Sequence, residues 1–88
     1  MELTFNKEGS IYVSEFQVDS DFNLHLEKGV GFVKAYQRTA GDKFALIKDF
    51  GNHNGDHVID VDIVGTVYPK YMKIECEVNP TVAQVTFE

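Results

Sequence analysis

Cysteine occurs once in the 88 residues, at Cys76, and tryptophan does not occur at all. A single thiol excludes an internal disulfide, and because small secreted domains usually need several, we expect folding in a reducing compartment. The opening MELTFNKEG lacks a signal-peptide pattern, and no apolar run approaches the roughly 20 residues that span a bilayer. These absences predict synthesis in the cytoplasm in soluble form, with no membrane partner.

Basic residues are also scarce, with eight Lys and Arg against fourteen Asp and Glu, for a net charge of -6. The eight are scattered along the sequence. Binding to nucleic acid or to an anionic membrane surface depends on clustered Lys and Arg side chains that contact phosphates. The composition therefore argues against both kinds of partner.

What the chain does have is apolar residues at every second position. The stretches FNLHLEK, VIDVDIV and YMKIECEV each place apolar side chains on one face and polar ones on the other, which is typical of strands with one buried face. The hydrophobic content of 43% is enough for one core, so residues 1–88 are expected to form a single domain. Turn signals between the alternating runs predict eight strands, at about 2–5, 10–18, 21–27, 30–38, 43–50, 57–64, 70–78 and 81–87.

Short strands at this spacing predict an all-β fold, a single antiparallel β-sandwich that is Ig-like or jelly-roll-like. Two of the strands break the alternation. In SIYVSEFQV the apolar parity changes, so a β-bulge is expected near Ser14–Glu15. In VGFVKAYQR, Gly31 allows a bend or a bulge, after which Lys34, Tyr36 and Arg38 would point outward.

The polar stretch DFGNHNGDHVIDVD, residues 49–62, is the main candidate for chemistry. Its two histidines are four residues apart and do not share a face on a strand, which argues against zinc. Calcium would find oxygen donors, but the twelve-residue loop pattern fails at its first and last ligand positions. We interpret residues 51–56 as a solvated turn that leads into a strand, and we expect no metal and no cofactor. The weak candidates for a cation site are Asp49, Asn52, Asn54 and Asp56.

Catalytic groups are not expected elsewhere. Asp60 and Asp62 alternate on one strand and Glu75 and Glu77 on another, and four carboxylates on one open sheet face would repel each other. Either these two strands are not neighbours, or a cation or a basic partner neutralises them. Cys76 alternates with apolar residues and is expected to be an inert core side chain. Without a cleft or a nucleophile motif, we predict that the protein is not an enzyme.

Aromatic residues give the strongest indication of a binding surface. Tyr36 and Arg38 belong to the outward stripe, and Tyr68 and Tyr71 flank the proline of VYPKY at the start of a strand. Tyr and Arg are common anchors of protein interfaces, and Tyr also stacks on sugars, although the lack of tryptophan weakens the sugar interpretation. The predicted interaction surface therefore consists of Tyr36, Arg38, Tyr68 and Tyr71.

The order of VKAYQRTAGDKFALIKDFGN, VGTVYPKYMKIECEV and NPTVAQVTFE resembles that of small β-sandwich structural proteins of tailed phages, which decorate capsids, tails or fibres. The resemblance covers roughly residues 30–88 and implies a role in a virion without any catalytic residue. We therefore expect a subunit of a larger assembly, with protein partners or self-association, in which the C-terminal strand TVAQVTFE pairs with a neighbour's edge. A carbohydrate-binding module is the alternative, and a weak cation-binding domain that uses residues 49–62 is the third hypothesis.

Overall fold

The computed structural model describes the backbone of residues 1–40, 43–53, 57–63 and 70–87. Side chains are described in the same ranges, with the exception of residues 39–40, 52–53 and 57–63. This part of the chain contains no helix with the length and apolar character needed to cross a membrane. Its regular structure is eight strands, which are β1 (Asn6–Glu8), β2 (Ile11–Val18), β3 (Phe22–Lys28), β4 (Gly31–Ala40), β5 (Lys43–His53), β6 (His57–Ile63), β7 (Lys70–Cys76) and β8 (Val82–Phe87).

The strands form two antiparallel sheets. One has five strands in the order β1-β2-β7-β4-β5, and the other has three in the order β6-β3-β8. Side chains from both sheets meet in one buried cluster, which consists of Val18, Phe22, Leu24, Leu26, Val33, Ala35, Met72, Ile74, Cys76, Ala83 and Val85. The fold is therefore an antiparallel β-sandwich, which confirms the fold class that the sequence predicts.

Strict alternation explains how the central strands reach this core. In β3 and β7 every second side chain is buried and the intervening ones are half-buried or exposed. Full burial of an apolar side chain of this size stabilises the fold by about 1.5–3 kcal/mol, so each strand has one strongly preferred face. The apolar positions that this alternation buries are Phe22, Leu24 and Leu26 in β3 and Met72, Ile74 and Cys76 in β7.

Pairing of the strands is nested about the middle of the chain. β4 pairs with β5, β3 with β6, and β2 with β7. The N-terminal segment pairs with β8 through an isolated bridge between Glu2 and Gln84, and the amide of Leu3 donates to the carbonyl of Ala83 at 2.9 Å. This nested pairing is that of one long hairpin that is rolled up into two packed sheets. Such an arrangement is called a jelly roll. Of the two subtypes expected from the sequence, the structure has the jelly roll.

The first strand predicted from the sequence, at residues 2–5, is only partly confirmed, because Glu2 and Leu3 pair with β8 but the segment is not a continuous strand. The isolated bridge is at Glu2, and the next strand, β1, begins only at Asn6. β1 contains no apolar residue. Leu3 and Phe5 alternate because they pack against the edge of the core, not because they belong to a continuous ladder. β1 instead forms as one arm of a tight hairpin, whose turn holds Gly9 at φ 65°, a conformation that glycine adopts without steric cost.

The β-bulge predicted near Ser14–Glu15 is also wrong. β2 pairs with β7 in a continuous register from Tyr12 to Val18, so its parity is uniform. Ser14 takes an inward position and is 3% exposed, whereas Val13 lies on the outer face. Val13 is still only 5% exposed there, because β1 and β7 flank it on both sides. The change of apolar parity therefore reflects a valine buried on the outer face of the sheet.

Irregular pairing occurs instead between β4 and β5. The sequence also predicts a hairpin turn at Gly41–Asp42, and these two residues lie outside the described ones. Two residues of β5, Phe50 and Ile47, have no partner in β4 because the register shifts between Val33 and Lys34 and again between Ala35 and Tyr36. Bulges of this kind twist an edge strand and make it a poor template for pairing with another chain. β5 also continues through His53, so the turn predicted for residues 51–56 is wrong for its first three residues.

Candidate functional site

The outer face of the five-stranded sheet carries the candidate site. Cross-strand pairing arranges the outward side chains of β2, β7, β4 and β5 in successive rows across this face. The first row, which we call the Arg38 end, consists of Gln17, Tyr71, Arg38 and Phe44. The second row consists of Glu15, Lys73, Tyr36 and Leu46. The third row, which together with the neighbouring Phe32 and Glu77 we call the carboxylate end, consists of Val13, Glu75, Lys34 and Asp49.

At the Arg38 end, the guanidinium group lies over the ring of Tyr71, 3.8 Å from its centroid. Stacking of this kind holds the guanidinium flat and leaves N–H donors at its edge for a further acceptor. Tyr71 is 39% exposed, and Arg38 has no ion pair with a carboxylate among the residues that the structure describes. Two residues of the predicted surface are therefore in direct contact with each other.

The centre of the face holds the third predicted residue, Tyr36. The ammonium of Lys73 lies 4.8 Å from the ring centroid of Tyr36 and 4.7 Å from that of Phe44, and it is 3.5 Å from a carboxylate oxygen of Glu75. Burial raises the pKa of Tyr36, and so do its hydrogen bond to Glu75 and the negative charges of Glu75 and Asp49. The phenol therefore stays protonated and donates to Glu75. In this centre, the charges of Lys73 and Glu75 and the hydroxyl of Tyr36 are therefore paired with one another.

At the carboxylate end, Lys34 lies between Asp49 on one neighbouring strand and Glu75 on the other. An open groove of about 290 Å³ adjoins it, lined by Phe32, Lys34, Asp49, Gly51 and Glu77. A carboxylate oxygen of Glu77 accepts weakly from the amide of Phe32 at 3.4 Å. Three carboxylates therefore share this end of the face with one lysine.

Lys73, Glu75 and Phe44 also belong to this surface, although they are not among its residues predicted from the sequence. Alternation could have placed Lys73 and Glu75 on the outer face of β7. Their contact with Tyr36 depends on the pairing of β7 with β4, which no local pattern specifies. The fourth predicted surface residue, Tyr68, lies outside the described residues.

The cation candidates of the 49–62 stretch are only partly described. Asp49 Oδ1 accepts from the amide of Gly51 at 2.8 Å, and this bond stabilises the bulge at Phe50. Asn52 is described in its backbone alone, and Asn54 and Asp56 lie outside the described residues. In the part of the chain whose side chains are described, no three His, Cys, Asp or Glu side chains come together as a metal site. The cation hypothesis therefore stays a prediction.

The four carboxylates of the supposed acidic ridge belong to two different sheets. Asp60 and Asp62 lie in β6, which pairs with β3, whereas Glu75 and Glu77 belong to β7 and the residue after it. The first of the two alternatives, that the strands are not neighbours, is therefore correct. No cation or basic partner is needed to explain this pattern.

The free edge of the C-terminal strand is occupied within the same molecule. Leu3 donates to the carbonyl of Ala83, and Val85 donates to the carbonyl of Met1 at 2.7 Å. The expected pairing of this strand with a neighbour's edge stays a prediction, and over Ala83–Val85 it would require displacement of residues 1–3. Docking by the sheet face remains available, since the Arg38 end and the carboxylate end are both open.

Basic residues are grouped in the structure, although they are scattered in the sequence. Six of the eight belong to the three adjacent strands β4, β5 and β7. They do not form a continuous basic patch, because Lys70 is buried and because carboxylates alternate with Lys34 and Lys73 on the outer face. The members of the group are Lys34, Arg38, Lys43, Lys48, Lys70 and Lys73.

Comparisons with known proteins identify no relative. No protein-family model matches the chain, and no curated protein or solved structure matches it significantly.

Proposed function

We propose that this protein is a non-enzymatic subunit of a larger assembly, such as a decoration or fibre-associated protein of a virion. In this proposal it docks onto a protein partner through the outer face of the five-stranded sheet. The observation that carries the proposal is the exposed pair of Arg38 and Tyr71, in contact at 3.8 Å with no carboxylate paired to the arginine among the described residues.

The chemistry of this pair supports protein docking. Tyr and Arg dominate the energetics of protein interfaces, because each combines a large contact area with directional hydrogen bonding. Exposed apolar side chains nearby, Leu46 at 50% and Ile47 at 43%, add surface that a partner would remove from water. The jelly-roll architecture is common in capsid domains, but it also occurs in lectins, so it supports the proposal only by analogy.

A carbohydrate-binding function is the second candidate. It is favoured by the exposed ring of Tyr71 beside the amide side chain of Gln17. It is disfavoured by Arg38, which already covers one face of that ring. Binding of the wild type to a glycan array, lost in Tyr71→Ala, would favour this candidate over protein docking.

The docking proposal is tested by sedimentation of the protein from the cells that naturally make it. We expect the wild type to travel with large particles and the Arg38→Ala/Tyr71→Ala variant to remain in the free-subunit fractions, because truncation removes both anchors. Thr86→Ala is the matched control, since Thr86 is exposed on β8 in the other sheet. Wild-type protein found only in the free-subunit fractions would contradict the proposal, and so would equal loss in the control.

A further inference from the structure

The outer face is polarised along its strands. The Arg38 end contains one formal charge, the cation of Arg38. The carboxylate end contains Asp49, Glu75 and Glu77 against the single cation of Lys34. Lys73 is 3.5 Å from a carboxylate oxygen of Glu75, and at the other end three carboxylates outnumber Lys34. Among the described residues of the face, the charge in excess is therefore positive at the Arg38 end and negative at the carboxylate end.

A surface with opposite charges at its two ends is complementary to a copy of itself turned end for end. A two-fold axis that lies between two such faces, perpendicular to the strands, reverses the strand direction and places the Arg38 end of each copy over the carboxylate end of the other. This is the isologous arrangement of most homodimers, in which residue i meets residue j and j meets i. Arg38 and Phe32 are six residues apart on β4, or roughly 20 Å, so the axis would pass near Tyr36.

We infer that this protein forms a two-fold dimer through the outer faces of its five-stranded sheets, with Arg38 of each copy in the groove between Asp49 and Glu77 of the other. This inference rests on the proposed function, because it assigns a partner to the same face.

The groove at the carboxylate end fits the side chain that the two-fold brings to it. It has a volume of about 290 Å³, which is ample for a guanidinium group, and it is lined by two carboxylates and by Phe32. The ammonium of Lys34 lies 5.3 Å from the centroid of the Phe32 ring, so the incoming guanidinium would use the other face or the edge of that ring. A planar guanidinium can donate to carboxylates in a bidentate manner and stack on an aromatic ring at the same time. Because Asp49 already accepts from the Gly51 amide, Glu77 is the carboxylate with more capacity to accept from Arg38.

The dimensions of the molecule are compatible with such a dimer. Its Cα extents are 35 × 27 × 20 Å, and the broad faces of a two-layer sandwich lie along the two larger dimensions. A standard interface buries roughly 800 Å² on each partner, which a face of this size can supply. The centre of the contact would hold the second row, which consists of Glu15, Lys73, Tyr36 and Leu46, with the pairs of Arg38 and the carboxylates toward both ends.

The experiment is a charge reversal followed by analytical ultracentrifugation of the purified full chain over roughly micromolar to millimolar concentrations. Arg38→Glu and Glu77→Arg are each expected to raise the dimer Kd at least about 100-fold, because every dimer contains the contact twice. The double variant Arg38→Glu/Glu77→Arg restores both pairs with exchanged charges and is expected to return to within about tenfold of the wild-type Kd. Lys7→Glu, a charge reversal of the same size on the exposed strand β1, is the matched control and should leave Kd unchanged.

Three outcomes would overturn the inference: a wild type that is monomeric at every concentration, a Kd that Arg38→Glu does not change, or a double variant that stays monomeric. Circular dichroism and the thermal midpoint establish that each variant is folded, and if Glu77→Arg fails to fold, Asp49→Lys takes its place. A monomeric wild type that still travels with large particles, and loses them in Arg38→Ala/Tyr71→Ala, refutes the dimer but supports the proposed function. A monomeric wild type found only in free-subunit fractions contradicts both.

Discussion

The side chain that Gly31 lacks would collide with the residue that follows β7. A Cβ at Gly31 would lie 2.7 Å from the Cβ of Glu77, and the residue has a φ of 137°, in a region that side chains other than glycine rarely adopt. Gly31→Ala is therefore expected to lower the free energy of unfolding by about 1–3 kcal/mol, because steric overlap and backbone strain act together. Equilibrium unfolding in urea measures the change.

Gly29→Ala is the control for this prediction, since no atom of the described residues lies within 4 Å of a Cβ added at Gly29. We expect a change within about 0.5 kcal/mol there. Equal losses at Gly29 and Gly31 would show that the cost does not come from contact with Glu77.

Cys76 links the stability of the core to alkaline pH. Burial raises the pKa of its thiol from 9.0 to about 12, although the charge of Lys28 lowers it slightly. The unfolded chain therefore loses this proton above pH 9 while the folded chain keeps it until about pH 12. The unfolded state binds fewer protons in this window, so the free energy of unfolding falls as the pH rises, by at most about 1.4 kcal/mol per pH unit from this group.

The test compares wild type with Cys76→Ala by urea unfolding at pH 8, 10 and 11. The variant is expected to be less stable at pH 8, because it leaves a small cavity, but to lose less stability than wild type between pH 8 and 11. Parallel pH curves for the two proteins would contradict the linkage. The thiol should also react with a thiol-specific reagent only after unfolding.

At the scale of the elements, the turn between β3 and β4 is held by a buried lysine. Lys28 is 2% exposed, and its ammonium donates to the carbonyl of Gly29 at 2.6 Å and to that of Gly31 at 2.8 Å. An amine in this setting can react with an acylating reagent only when the turn opens. We expect acetylation of Lys28 in the folded protein to be at least about tenfold slower than that of the exposed Lys7.

Mass spectrometry of the acetylated protein gives both rates in one experiment, and the same measurement in urea supplies the control, since the two lysines should then react alike. If Lys28 reacts as fast as Lys7 in the folded protein, the turn opens independently of the core. Lys28 would then not hold the turn closed.

Local patterns in the sequence predict the strands well and their irregularities poorly. The bounds of β2 to β8 agree with the expected ones to within three residues, because alternation and turn residues are local signals. The first strand is predicted only in part, because Leu3 and Phe5 pack on the core while the pairing with β8 stops after Leu3, whereas β1 owes its pairing to the turn at Gly9. The prediction of a bulge at Ser14–Glu15 is wrong because an apolar residue, here Val13, can also be buried on the outer face of a sheet by the neighbouring strands.

At the scale of the whole molecule, the sequence predicts a sandwich but does not specify which strands are neighbours. Tyr36, Arg38 and Tyr71 could be named from their outward positions and their residue types. Their convergence required β7 to lie beside β4, although more than thirty residues separate Tyr36 from Tyr71 along the chain. The polarity of the outer face, and therefore the inferred dimer, depends on the same non-local pairing.

The position of β7 between β2 and β4 has a consequence for how the chain acquires its structure during synthesis. The hairpin of β1 and β2 and the hairpin of β4 and β5 are joined in the larger sheet only by β7. A nascent chain that ends before Lys70 therefore carries two separate hairpins with apolar faces and no strand to connect them. Since isolated hairpins are marginally stable in water, the larger sheet cannot become persistent until β7 leaves the ribosome. The larger sheet can therefore be completed only after most of these 88 residues have been synthesised.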